Sequence, residues 1–293
     1  THKAKPESMK HWVMLPSVTT TDYHQKLFEH IRHLRFIRAL VLVFKMHQYK
    51  NVLLNADLCT GVSRGVLQDA QKFTNNGLQN TGVLYNPACS DRFLLAQENT
   101  DPPHAWLENP ENQTFVGCGR LESVKDFTTL IKAFTLVHQK NNATRLLILG
   151  DGIQKKELEK AIQSAFGNMQ DPPVHLVGNV TNPEAYFAHA HAFVSTAKHE
   201  AFGNVIVEAL ATGTQVIATD APYGPREILC DGKYGTLVPV GDKAALAQAM
   251  EASLEESNPQ QNKEDRKKRA AAFKAENLVE DFLKFKNSVK KIS

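Results

Sequence analysis

Cysteine is scarce, with four in 293 residues: Cys59, Cys89, Cys118 and Cys230. No two stand at metal-ligand or redox-motif spacing, so neither a zinc site nor a disulfide framework is predicted, and a reducing cytoplasm is the expected setting. There is no Asp-X-Asp pair and no His/Cys cluster, so the sequence predicts no metal site. No apolar run has the length needed to span a bilayer, and no signal peptide is recognisable. The first residue is Thr1 rather than Met, which suggests a trimmed product or a fragment. Net charge is only +3, so charge gives no argument for a nucleic-acid partner. Internal repeats and low-complexity segments are missing too. What is present is 42% apolar and 22% charged residues, an ordinary globular composition with length enough for two domains.

Charge is uneven along the chain. Residues 1 to 60 hold nine Lys or Arg against four Asp or Glu, and six of the twelve histidines. Trp12 to Leu15 is a short apolar run that fits a strand. From about Tyr23 the pattern turns helical: Leu27, Ile31, Leu34, Ile37 and Val41 fall on one stripe, with Arg32 and Arg35 beside it and Arg38 within it. Two readings stay open. One is a basic amphipathic helix on an anionic membrane surface, drawn from residues 28 to 50. The other is a helix packed on the protein's own core with a solvated basic side. Ala39 to Phe44 has no clear period, so helix and buried strand are not told apart there. Ser63 to Phe73 reads as a helix capped by Ser63. Val83 to Tyr85 reads as a strand ended by Asn86-Pro87. The polar, proline-bearing stretch 96 to 112 reads as an interdomain linker.

From Thr114 the pattern becomes regular. Strands are predicted at 114–117, 145–149, 174–177, 192–195, 215–218 and 236–238. Helices are predicted around Phe127 to Phe134, at 155–166, 183–190 and 204–210, and from Lys243 to about Leu254. Such alternation predicts an α/β fold with a parallel, doubly wound sheet. Lys263 to Arg269 is a charge run that fits a solvated helix face, and 273–289 a last helix.

Ligands of such sheets bind beyond the carboxyl ends of the strands. One strand there runs into Gly117-Cys118-Gly119-Arg120, with Lys125 five residues later: two backbone-opening glycines and two cations, or else a tight turn with solvated charges. Another runs into Glu200-Ala201-Phe202-Gly203-Asn204. Gly203 permits close backbone approach, Asn204 is a candidate N-cap, and the helix start suits a phosphate. Glu200 and Glu208 frame that turn, fitting hydroxyl groups on either side of a phosphate, although Glu208 near a helix start is also favourable for dipole reasons alone. Gly150-Asp151-Gly152 is a partial dinucleotide fingerprint with Lys155 at the third glycine position, so a turn or crevice wall is the better reading. Gly178-Asn179-Val180 could set backbone against a base, or be a plain turn. Tyr223 to Glu227 reads as a shaped loop that Arg226 helps to hold.

Gly119-Arg120-Leu121 with Lys125, then Gly150-Asp151-Gly152, then Glu200 to Gly203 with Glu208 at Glu-X7-Glu spacing, occur in that order. Together they resemble a family 4 glycosyltransferase of the GT-B fold. Gly224 to Leu229, Gly235 and Leu237-Val238-Pro239 resemble bacterial members that build surface polysaccharide and lipopolysaccharide. The resemblance is strong from about Thr114 to Asp242. A weaker match runs through Ala56-Asp57, Val62 to Val66 and Tyr85-Asn86-Pro87. It implies a Rossmann-like carboxy-terminal lobe with a parallel sheet, over 113–270, a partial amino-terminal, acceptor-side lobe and linker over 1–112, and a carboxy-terminal helix over 271–293. It also implies that Arg120 and Lys125 bind the donor diphosphate and stabilise it as it leaves. Glu200 contacts the donor sugar, backbone from Ala201 through Phe202 and Gly203 to Asn204 contacts sugar and phosphate, and Glu208 binds ribose; Gly119, Gly178 and Val180 complete the donor-binding set. Transfer is expected to retain anomeric configuration, with no metal and no cofactor, since the nucleotide sugar (UDP favoured) is itself a substrate. The expected partners are a glycan or lipid-linked acceptor and an anionic membrane surface, with the chain cytoplasmic or peripheral on the inner face. A histidine common in the family's first lobe has Ser17 in its place, or His24 nearby. Two alternatives are a donor-binding fragment that needs a partner chain and, more weakly, a dinucleotide oxidoreductase.

Overall fold

The computed structural model describes residues 12–14, 36–167, 169–255 and 259–290. Ser17, His24 and the stripe residues Leu27 to Leu34 lie outside them. The chain forms two compact units: one holds the described residues up to Asn86 and those from Leu278 onward, the other is Pro87–Asn277. The 87–112 stretch therefore belongs to the second unit.

In the first unit, β1 (Trp12–Met14), β2 (Leu58–Gly61) and β3 (Thr81–Val83) form a parallel sheet in the order β1-β2-β3. The helix Phe36–Leu54 runs through the ambiguous 39–44 stretch, which is therefore not a strand. Arg64–Phe73 is helical, and its Ser63 cap accepts a hydrogen bond from the Val66 amide at 3.2 Å. Leu53, Leu58, Val66 and Ala70 are buried. Gly82 lies under a ring of the last helix, Ala275–Lys290, where an added Cβ would stand 2.6 Å from Phe285.

The second unit carries six parallel strands: β4 (Gln113–Cys118), β5 (Thr144–Leu149), β6 (Val174–Gly178), β7 (Ala192–Ser195), β8 (Gln215–Thr219) and β9 (Thr236–Val238). Their order is β6-β5-β4-β7-β8-β9. The central strands β4, β5, β7 and β8 are buried along most of their length, as a parallel sheet covered on both faces requires. One face is filled by Phe127, Leu130, Ile131 and Phe134 of the helix Phe127–Lys140, with Leu158, Leu246 and Met250 from neighbouring helices. From β4 the chain moves outward through β5 to β6, then crosses back to β7 on the other side of β4 and continues to β8 and β9. The order reverses beside β4, and the crevice at the strand ends opens at that switch point.

Four local expectations change. Gly203, at φ 113°, is the N-cap of Asn204–Ala211, so Asn204 is the first helical residue rather than the cap. Glu208 is therefore mid-helix and gains little from the helix start. Residues Gly224–Ile228 form a short helix rather than a loop, because Pro225 is ready-made for a first turn. The charge run lies in the helix Pro259–Ala271, which packs on Asn204–Ala211 and is not merely solvated. Arg266 is buried and donates to the Gly213 carbonyl at 2.8 Å, and Arg269 donates to the carbonyls of Glu227 and Ile228.

Candidate active site at the switch point

The crevice is stitched from two loops, one after β4 and one after β7. The Thr196 hydroxyl donates to the Lys125 carbonyl at 2.8 Å, and the Lys198 amide donates to the Val124 carbonyl at 2.8 Å. These bonds set Lys125 opposite Glu200, and the ammonium donates to Glu200 Oε2 in an ion pair. Both side chains are about four-fifths buried, 21% and 18% exposed. A Cβ at Gly119 would reach within 3.5 Å of Lys125, and one at Gly203 within 3.4 Å of Glu200. Gly119, Lys125, Glu200 and Gly203 thus share one corner.

The Glu200 loop is itself clasped. Its amide donates to the Pro222 carbonyl, and its carbonyl accepts from the amides of Tyr223 and Gly224, all at 2.7–2.9 Å. Gly224 presses so close to Phe202 that a Cβ would lie 1.8 Å from the Phe202 carbonyl oxygen. Arg226 pairs with Asp220 and Asp231, which holds this support, as the sequence suggested. Behind β4, the Gly150 amide bonds the Gly178 carbonyl at 2.7 Å, and a Cβ on Gly150 would overlap the Gly119 carbonyl at 2.0 Å. The glycines at 150 and 152 are there for nested loops rather than a dinucleotide, which agrees with their reading as a wall.

Glu208 stands on the helix that starts at Gly203, one turn into Asn204–Ala211. Burial pushes the Cys118 thiol up to about 12, with the Glu208 carboxylate adding to the rise and Lys125 opposing it. Cys118 is therefore a neutral thiol. Burial also raises Glu208 to about 7; Arg92 lowers it and Glu184 raises it. A carboxyl poised at neutrality in a crevice marks a candidate functional group.

The remaining predicted residues are placed as follows. Arg120 is an exposed side chain bonded to Glu122 at 2.9 Å, and no contact described here brings it to Lys125 or Glu200. Ala201 and Phe202 are buried, and the Phe202 ring packs edge-on against Phe273 at 5.4 Å, so both offer backbone only. Asn204 opens the helix beside Gly203. Gly178 ends β6, and Val180 lies in the loop before the helix Pro183–His189. Arg92 and Glu184 were not singled out. Arg92 sits in an aperiodic stretch, and Glu184 follows Pro183 where any helix start favours a carboxylate.

Among the described residues no three His, Cys, Asp or Glu side chains gather as metal ligands. A separate cleft of about 570 Å³ is lined by His104, Glu159, Met169 and His175, among others. The strand-end crevice is preferred because opposite charges, glycine turns and a helix start converge there, which volume alone does not supply.

Comparison with known proteins gives the family and the fold. The family described as glycosyl transferases, group 1, matches residues 100–272. The N-acetylgalactosamine-N,N'-diacetylbacillosaminyl-diphospho-undecaprenol 4-alpha-N-acetylgalactosaminyltransferase of Campylobacter jejuni is 29% identical over 78% of this chain and 60% of its own length. The poly(glycerol-phosphate) alpha-glucosyltransferase of Bacillus subtilis is 31% identical over 66% of this chain and 29% of its own. The chain thus spans less than two thirds of either relative's length. Among solved structures, Anabaena Alr3699/HepE in complex with UDP and glucose aligns with TM-score 0.65 at 22% identity, over 83% of this chain and 66% of that one. The pneumococcal O-GlcNAc transferase GtfA, in complex with UDP and GlcNAc, aligns with TM-score 0.65 at 20% identity, over 84% and 47%. The fold is of the GT-B type, and this chain belongs to the group 1 glycosyl transferases.

Proposed function

We propose that the Pro87–Asn277 unit binds a nucleotide sugar, UDP-linked by preference, and that the protein transfers the sugar to a glycan or lipid-linked acceptor with retention of configuration. The observation that carries this is the Lys125–Glu200 pair, two residues 75 apart in sequence, set between Gly119 and the Gly203 helix start. In the absence of donor the pair satisfies two largely desolvated charges. A bound diphosphate offers Lys125 a better anion, assisted by the start of Asn204–Ala211, and Glu200 is released to sugar hydroxyls. The leaving diphosphate gains stabilisation from groups already in place. Arg120, exposed and held by Glu122, swings in to the diphosphate on binding. Glu208 accepts ribose hydroxyls. Transfer needs neither metal nor cofactor in this reading. The undecaprenol-linked substrate named for the Campylobacter relative supports a lipid-linked acceptor and so action at a membrane surface, here taken to be the inner face. No helix among the described residues is long and apolar enough to cross one, so attachment would be peripheral, through the basic helix with its exposed Phe44 and Val52.

The test is calorimetric titration with UDP, GDP and ADP, then turnover of the matching sugars with and without chelator. Saturable UDP binding, lost in a Lys125→Met protein that remains folded, is expected, whereas Glu200→Gln should keep UDP binding and lose turnover of the UDP-sugar. Unchanged UDP binding in Lys125→Met together with unchanged turnover in Glu200→Gln removes the assignment. Binding without turnover would identify the donor-binding half of a larger machine.

A further inference from the structure

The turn from Glu200 to Gly203 is anchored by one aromatic ring. Phe202 is 2% exposed and sits directly before the left-handed Gly203, so any shift of its ring is passed to the helix start. The ring meets Phe273 edge-on, with centroids 5.4 Å apart and planes at 73°, an arrangement that aromatic pairs favour. Phe273 is as deeply buried, and the Arg269 guanidinium carbon stands 4.6 Å from its ring centroid. A planar guanidinium stacks and donates at once. Arg269 Nε donates to the Ile228 carbonyl and Nη2 to the Glu227 carbonyl, both at 2.8 Å. Those carbonyls end the helix Gly224–Ile228, where the partial negative charge of a helix terminus favours a cation. At the other end of this helix the Gly224 amide donates to the Glu200 carbonyl at 2.9 Å, and Gly224 presses on Phe202. The contacts close a ring: Phe202 to Phe273, Phe273 to Arg269, Arg269 to the short helix, and that helix back to Glu200 and Phe202. Phe273 is pinned from behind as well. Its carbonyl accepts from the Cys89 amide at 3.2 Å, and Lys274 pairs with Asp91 at 2.6 Å.

We propose that Phe273 and Arg269 are positioning residues for the donor loop. They hold Phe202 and the Gly224–Ile228 helix together, so that Glu200 and the Gly203 helix start stand ready before a donor arrives. The inference rests on the reading that this loop binds the donor. A loop ordered in advance loses less freedom on binding, so loosening the ring weakens affinity without removing any group that meets the ligand.

Amide hydrogen exchange on the full chain reads the clasp directly, because the amides of Glu200, Tyr223 and Gly224 make its three bonds. In Phe273→Leu and in Arg269→Gln these amides should exchange about tenfold faster, while those of Leu147 and Ile148 in β5 stay within about threefold of native. Phe134→Leu makes the same change in the core against the sheet, and it should speed β5 at least as much as the clasp. UDP affinity by calorimetry should fall about tenfold in Phe273→Leu and Arg269→Gln but not in Phe134→Leu, and Arg269→Lys, which keeps the cation without the paired bonds, should lie between. Clasp amides that keep pace with β5, or UDP affinity unchanged in both variants, overturn the proposal. If one of the two variants does not fold, the other decides. A native chain that binds no UDP overturns the donor reading instead, and the exchange rates still decide whether the ring holds the loop.

Discussion

Lys125 and Glu200 are close enough to neutralise each other and open enough to let go. Their pairing makes a quantitative prediction. Lys125→Met and Glu200→Gln should each destabilise the protein by about 1–3 kcal/mol, less than a fully buried pair because about a fifth of each side chain remains exposed. The double variant should cost less than the sum, as denaturant unfolding of the four proteins will show. Glu208 has the opposite economy. Its carboxyl ionises at about 7 in the fold against 4.5 ordinarily, so the folded chain holds the proton more tightly. That contribution to stability is intact below about pH 4.5 and is lost as pH rises through about 7. Glu208→Gln should therefore stabilise the protein at pH 8, by at most roughly 3 kcal/mol and with a higher thermal midpoint, and gain almost nothing below about pH 4. The same variant should lose nucleotide binding, the usual exchange of stability for function.

At the scale of elements, the Glu200 loop depends on a neighbour that never touches the ligand in this account. Gly224 has ordinary backbone angles but no room for a side chain against Phe202. Gly224→Ala should destabilise by about 1–3 kcal/mol and weaken donor binding together, by calorimetry and thermal melts, because the loop and the Gly224–Ile228 helix must separate. This helix also marks where sequence reading ends. The strands from β4 to β9 were legible because buried parallel strands are unbroken apolar runs between turn residues, and the Lys155–Phe166 helix showed in its period. Glycines at 119, 150 and 203 were visible as backbone needs. The partner of Lys125 was not, since nothing local says that a lysine after β4 meets a glutamate after β7. Arg92 was invisible for the same reason: its ion partner, Glu184, lies far away in sequence. Asn204 was misplaced as a cap because Asn and Gly compete for that position, and the left-handed backbone there chose Gly. Arg266 looked solvated because its buried partner is the carbonyl of Gly213, a main-chain group with no sequence signature.

For the whole molecule, the division after Asn86 has a consequence. All residues assigned to the donor site, from Gly119 to Glu208, belong to Pro87–Asn277. That unit expressed alone should fold and bind UDP within about tenfold of the full chain, a difference of about 1.4 kcal/mol, and show no transfer. The resemblance in sequence was strongest over this unit and weaker before it, where strands of three or four residues leave little pattern to read. The most direct measurement is an amide chemical-shift map of the full chain as UDP is added. The largest changes are expected at Gly119, Lys125, Glu200 and Gly203 to Val205. Changes concentrated instead around His104, Met169 and His175, with the Gly203 turn silent, would contradict it.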